Sequence, residues 1–240
     1  MLIERSVVPV FRQRIGEKSE HVGSGILSVV GGHYWLMTAA HVGRHQSEGI
    51  LLIAGTPPVA PAGIYFASSE LVAEAGRNDS VDLALFQILP DQANAVIAGG
   101  FEFLDIEGMD LGSTFRNYGN AIVVGYPDGF VVFDEKGTTS YSTPLVFHGA
   151  TIPEEKMVRH GLSVHKQLGV FFTKPLVDVD GNPVIRVDPH NMSGGGVWVE
   201  RQGHRILAGI LTEFWSSNSL FHATRLWTLL PIIAAAMKRS

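Results

Sequence analysis

Short apolar runs, each closed by glycine, proline or polar residues, recur along the whole chain. Val22 to Val30 encloses Gly23 and Gly25, and Tyr34 to Met37 follows the turn Gly31-Gly32. Ile50 to Ile53 stops before Gly55-Thr56-Pro57-Pro58, Val81 to Leu89 stops at Pro90, and Ala121 to Val124 stops at Gly125-Tyr126-Pro127-Asp128-Gly129. Phe130 to Phe133, Val170 to Phe172, Gly196 to Val199 and Ile206 to Leu211 complete the series. Short runs of β-branched and aromatic residues between turn formers predict strands, and their number predicts a sheet-rich sandwich or barrel. Two stretches predict helix: Thr38 to Val42, and the Leu-, Ile- and Ala-rich tail Thr224 to Met237, where Lys238-Arg239 suits the negative end of a helix dipole. Asp105 to Asn117 is polar and contains glycine, which makes it the expected seam of a single 240-residue unit. The halves are then about 1–112 and 113–240, each inside the usual size range of a domain.

Composition narrows the function classes. With 45% hydrophobic and 17% charged residues the chain is globular, and a net charge of −5 removes the broad basic surface that nucleic acids require. There is no cysteine, so disulfides, thiolate catalysis and Cys-ligated metals are excluded, and a cytoplasmic location is the expectation. The start, Met1 to Ser6, carries charges where a signal peptide would be apolar. Leu226 to Met237 is broken by Pro231 and is far shorter than the roughly 20 residues that span a bilayer, so no membrane association is expected.

Three motifs carry chemistry, in a fixed order. Leu36-Met37-Thr38-Ala39-Ala40-His41 runs an apolar strand into small residues and a histidine; Val81-Asp82-Leu83-Ala84-Leu85-Phe86 embeds one carboxylate in an apolar strand. Asn191-Met192-Ser193-Gly194-Gly195-Gly196-Val197-Trp198 holds a serine in a glycine-rich bend before a strand. A serine hydroxyl becomes nucleophilic when an imidazole takes its proton, and a carboxylate on the other ring nitrogen fixes the tautomer that does so. Glycines beside the serine leave room for a carbonyl, and backbone N–H groups there can receive the developing oxyanion.

Together these motifs resemble the chymotrypsin/trypsin-like serine peptidases, in the His–Asp–Ser order of that family. Leu207-Ala208-Gly209-Ile210-Leu211-Thr212 also resembles the family's strand after the nucleophile. The resemblance implies an all-β fold of two antiparallel six-stranded barrels with a C-terminal helix and the site in the cleft between them. It implies His41 as general base and acid, Asp82 as its orienting partner, Ser193 as nucleophile, and the backbone N–H groups of Asn191 and Ser193 as oxyanion donors. Thr212, Glu213 and Phe214 would pair with an extended substrate, and the Thr212 hydroxyl would support Asp82. No metal or organic cofactor is implied, and the partner is a polypeptide substrate. Lacking cysteine, the chain is most similar to an intracellular, prokaryotic type. It departs from the pattern at Asn191, where the family has glycine, and at Met192, where digestive members keep an aspartate for a freed N-terminal amine. Activation by N-terminal trimming is therefore not expected.

Other readings fit less of the sequence. His41 and His45 are spaced i, i+4, but no glutamate or third ligand accompanies them for zinc. Asp178-Val179-Asp180-Gly181-Asn182 fails the EF-hand spacing and is simpler as a hairpin turn. An α/β-hydrolase would need glycine at 191 and a histidine after the serine, leaving His204 or His222. A catalytically silent or latent domain that binds peptide, with a regulatory protein partner, is the competing reading, and Asn191 keeps it open. Substrate preference also stays open: Asp188 and Glu213 favour basic side chains, Val187 and Phe214 apolar ones.

Overall fold

In a computed structural model, residues 3–55, 57–68, 81–107, 119–133, 140–172, 177–178, 188–201, 203–216, 219–229 and 233 are described. The first sheet is built from β1 (Val7–Gln13), β2 (Glu20–Val30), β3 (His33–Thr38), β4 (Ile50–Ile53), β5 (Tyr65–Ala67), β6 (Ala84–Ile88) and the short β7 (Leu104–Asp105). Its order is β4-β1-β2-β3-β6-β5, antiparallel throughout, with β7 added parallel to β2. Among the described residues β4 and β5 do not pair with each other, so this sheet curls as a half-barrel. The second contains β8 (Asn120–Gly125), β11 (Leu145–Thr151), β12 (Gln167–Phe172), β13 (Val177–Asp178), β14 (Gly196–Arg201), β15 (His204–Trp215) and β16 (Leu220–Arg225), while β9 (Val131–Phe133) and β10 (Ser140–Ser142) form a separate hairpin. Pairing of β11 with β12 closes the ring β12-β16-β15-β14-β8-β11 into a six-stranded barrel.

Strand periodicity explains how one chain serves several apolar clusters. Successive residues of a strand face opposite ways. On β2, Leu27 therefore enters the interior of the first sheet with Val10, Leu36, Ile53 and Phe86, while Ile26 faces out. Ile26 joins Val7, Met37 and Leu85 against Val124, Trp198 and Ile210 of the second sheet, a cluster between the sheets. The second barrel is filled by Val123, Phe147, Leu168, Met192, Val197 and Phe221. Trp35 and Trp198 are fully buried, and each such aromatic ring removes an area of the order of 200 Å² from water.

The structure moves the start of one expected helix and adds another that was not expected. Thr224 and Arg225 end β16, and Leu226–Leu229 is a 3₁₀ turn, not the start of the expected helix. β pairing with β12 and β15 uses the backbone of Thr224 before a helix can take it. From 230 to 237 only Ile233 falls among the described residues, and it is helical; the rest of the expected helix lies outside them. An unexpected helix runs over Pro90–Ala98, with Pro90 in its first turn, the Gln92 side chain accepting from Leu89 N–H at 3.0 Å, and Gly99 following. The helix expected near His41 is the single turn Ala40–Gly43. No helix among the described residues is long and apolar enough to cross a membrane.

Candidate active site

The histidine and carboxylate sides meet through one sheet. β3 delivers the chain to the turn Ala40–Gly43, and β6, paired with β3 from Thr38↔Ala84, brings Asp82 alongside. Asp82 grips His41 twice: Oδ1 accepts the backbone N–H at 3.0 Å, and Oδ2 lies 2.5 Å from Nδ1. A carboxylate so placed accepts from Nδ1–H, which leaves Nε2 as the basic nitrogen. The second contact ties the ring to its own backbone, so few imidazole orientations survive. Both side chains keep partial exposure.

The serine lies on an irregular bend that leads into β14. Gly194 has φ 90°, and a β-carbon there would overlap the Ser24 carbonyl oxygen and the Thr38 hydroxyl, so no other residue fits without moving backbone. Gly194 N–H donates to Leu211 at 2.7 Å, Gly195 N–H to Met192 at 2.9 Å, and Met192 N–H to Pro189 at 3.2 Å. Among the described residues the backbone N–H groups of Asn191 and Ser193, which flank Met192, donate to no protein acceptor. Two free donors one residue apart at a serine are what an oxyanion needs. Asn191 keeps φ at 65°, the left-handed region that glycine enters most easily. Met192 is fully buried in the second barrel, where an aspartate would be costly.

The Ser193 hydroxyl donates to the Thr212 carbonyl at 3.0 Å, and among the described contacts none joins it to His41. The two sides nevertheless converge. A β-carbon at Gly23 would lie 2.7 Å from Val42, the neighbour of His41, and 3.0 Å from the Ser193 carbonyl oxygen.

Ser24 stitches the sheets together. Its N–H donates to the Ser193 carbonyl at 2.7 Å, its own carbonyl accepts the Thr38 hydroxyl at 2.7 Å, and its Oγ accepts Tyr126 N–H at 2.9 Å. Sequence reasoning did not single it out. The available signal was Gly23 and Gly25 within an apolar run, since glycine inside a strand marks close backbone approach.

The remaining expected residues are placed as follows. β15 pairs with β14 only as far as Ile210↔Gly196, so Thr212, Glu213 and Phe214 form an edge with a strand on one side, β16. Glu213 is exposed, and the Phe214 ring packs 5.0 Å from Phe221. The expected support of Asp82 by the Thr212 hydroxyl is not found, because that hydroxyl donates to the His222 carbonyl at 3.2 Å. A register shift between Leu211 and Glu213 turns Thr212 away from the position expected of it. Thr224 Oγ1 instead lies 3.5 Å from Asp82 N, the outer limit of a hydrogen bond. His45, the other half of the i, i+4 pair, sits 3.0 Å from the Arg12 guanidinium; burial and that positive charge push its pKa down. Asp188 is exposed, while Val187 and 179–182 lie outside the described residues.

No protein-family model matches the chain, and no curated protein matches it. Solved structures do. A structure from work on the coupled folding and binding of the disordered Sesbania mosaic virus VPg protein has a TM-score of 0.50 at 13% identity, covering 94% of this chain and 87% of that one. The tobacco vein mottling virus protease gives 0.48 at 12% identity, covering 93% and 78%. The serine protease domain of the Sesbania mosaic virus polyprotein gives 0.49 at 12%, covering 94% and 90%. The fold is chymotrypsin-like. The pairing pattern carries that statement: a closed six-stranded barrel beside a half-barrel, with few helices. At 13% identity the match at 0.50 agrees with this fold and speaks to nothing finer.

Proposed function

We propose that the chain is a serine endopeptidase. Ser193 Oγ leaves the Thr212 carbonyl by rotation about χ1 and gives its proton to His41 Nε2 while attacking a peptide carbonyl. Asp82 stabilises the imidazolium, and the N–H groups of Asn191 and Ser193 receive the oxyanion. His41 then protonates the leaving amine, and water hydrolyses the acyl-enzyme by the reverse relay. Extended substrate adds as a strand along Thr212, Glu213 and Phe214, whose outer side has no partner strand among the described residues. The two halves, about 1–112 and 113–240, act as one domain, and the absence of cysteine fits work in the cytoplasm.

The observation that carries this reading is the double grip of Asp82 on His41. A structural aspartate has no need to hold both the ring and the backbone of a half-exposed histidine. A fluorophosphonate probe tests it: labelling of the folded wild type that vanishes in Ser193→Ala supports the reading, and no labelling of the folded wild type rejects it.

One observation favours a second reading, a latent or silent domain that binds peptide and awaits a protein partner. The Ser193 hydroxyl is engaged by Thr212 and not by His41. That domain would bind extended peptides without cleaving them, which a peptide library assayed for both binding and cleavage would reveal.

A further inference from the structure

Asn191 is where the nucleophile bend departs from the pattern it resembles, and both hydrogens of its side-chain amide are engaged. The carboxamide nitrogen carries two hydrogens. Nδ2 contacts Asp128 Oδ1 at 2.6 Å and the His21 carbonyl oxygen at 3.0 Å, one acceptor for each hydrogen. The acceptors come from different sheets: His21 lies on β2, and Asp128 lies in the turn that follows β8. Asp128 is itself fastened, donating its N–H to the His190 carbonyl at 3.0 Å, next to Asn191 in the chain. Its Oδ1 also stands 3.6 Å from Nδ1 of His21, whose side chain is only 6% exposed. On the other side of the peptide, Ser24 Oγ donates to the Asn191 carbonyl at 3.4 Å. The side chain and carbonyl of Asn191 are thus held from three directions while its N–H stays free.

We propose that Asp128 is a positioning residue: with the His21 carbonyl it clamps the Asn191 carboxamide and holds Asn191 in the left-handed conformation that keeps its backbone N–H available beside Ser193. The catalytic consequence rests on the endopeptidase reading; the clamp itself rests on the contacts alone. Glycine reaches a positive φ without help but leaves it as freely. Asparagine tolerates the conformation less well and stays only when something retains it, which is the work of a charged acceptor at 2.6 Å. The same clamp joins a residue from each sheet, so closure of the cleft and alignment of the donor are one event.

The test measures the second-order rate of fluorophosphonate labelling of Ser193. Asp128→Ala is expected to lower that rate about 10- to 100-fold, short of the 10²–10³ that follows loss of a whole oxyanion donor. Asp128→Asn, which keeps an acceptor oxygen, should retain most of the rate. In an Asn191→Gly background, Asp128→Ala should change the rate by less than about twofold, because no carboxamide remains to be held. A purely structural role for Asp128 would lower the rate equally in both backgrounds along with the thermal midpoint, and that result overturns the inference. So does wild-type labelling by Asp128→Ala. If Asp128→Ala does not fold, Asp128→Ser carries the same expectations. If the wild type does not label, the endopeptidase reading fails and the clamp is judged by NMR. The side-chain and backbone amide signals of Asn191 should then move in Asp128→Ala, and unmoved signals overturn it.

Discussion

The two sides of the candidate site are built in opposite ways. His41 and Asp82 stand at adjacent ends of paired strands in one sheet, and both their contacts are short and local to it. Ser193 stands on a bend with two positive-φ residues, Asn191 and Gly194, and takes restraints from the other sheet through Ser24, Thr38 and His21 as well as from Asp128 of its own half. On the proposed reading, the base is ready whenever the first sheet is folded. On the same reading, the nucleophile is ready only when the sheets are correctly seated, which would make it the side where control is exerted.

The largest effect that can break this comparison comes from the shared chemistry. His41→Ala is expected to cut fluorophosphonate labelling of Ser193 by about 10⁶-fold, and any labelling near the wild-type rate would leave the histidine without its role. Asp82→Asn should reduce hydrolysis of a cleaved peptide by about 10⁴-fold, by allowing the wrong tautomer. Asp82 is half-exposed, so the thermal midpoint should fall by only a few degrees; a collapse of the fold would mean that the base side is no more self-sufficient than the nucleophile side. Gly194→Ala should do the reverse and act first on stability, lowering it by about 3 kcal/mol in urea unfolding, since the Ser24 backbone and the Thr38 hydroxyl must give way.

Much of this was legible in the chain. The run Ile50 to Ile53 is β4 residue for residue, and Val22 to Val30 lies within β2, because apolar runs ending at turn formers leave little choice of element. The helix Pro90–Ala98 was missed although Pro90 and Gly99 mark its ends; its apolar stripe, with Ala93 and Val96 buried, is too narrow to stand out. His41, Asp82 and Ser193 were legible as residue types in a known order. Thr212 was not, since its role turned on a bulge that no spacing records. The contact between Asn191 and Asp128 spans 63 residues, and nothing local announces it.

Smaller effects sharpen the contrast. Burial holds His21 below its ordinary pKa, with the Asp128 carboxylate opposing, and burial does the same to His222 on β16. The unfolded chain therefore takes up these protons first as pH falls, so stability present above about pH 6.5 is lost on acidification through the lowered native values. Urea midpoints between pH 7.5 and 5 should decline, and His21→Gln should flatten the decline; an unchanged slope would remove His21 from the account. The smallest expected change is at Thr224. Its hydroxyl sits at the limit of reach from Asp82 N, so Thr224→Val should alter the labelling rate less than about threefold. A tenfold loss would instead give Thr224 the supporting part that the sequence assigned to Thr212.

Ser24 has a consequence for anyone who would divide the molecule. Its amide, carbonyl and hydroxyl are shared between Ser193, Thr38 and Tyr126, so the first sheet's strand completes the second sheet's loop. Expressed as separate fragments, the two halves would each carry a raw wound at this spot, one with stranded donors and the other with a shapeless serine bend. Complementation by mixing, not autonomous behaviour of either piece, is the outcome to plan for.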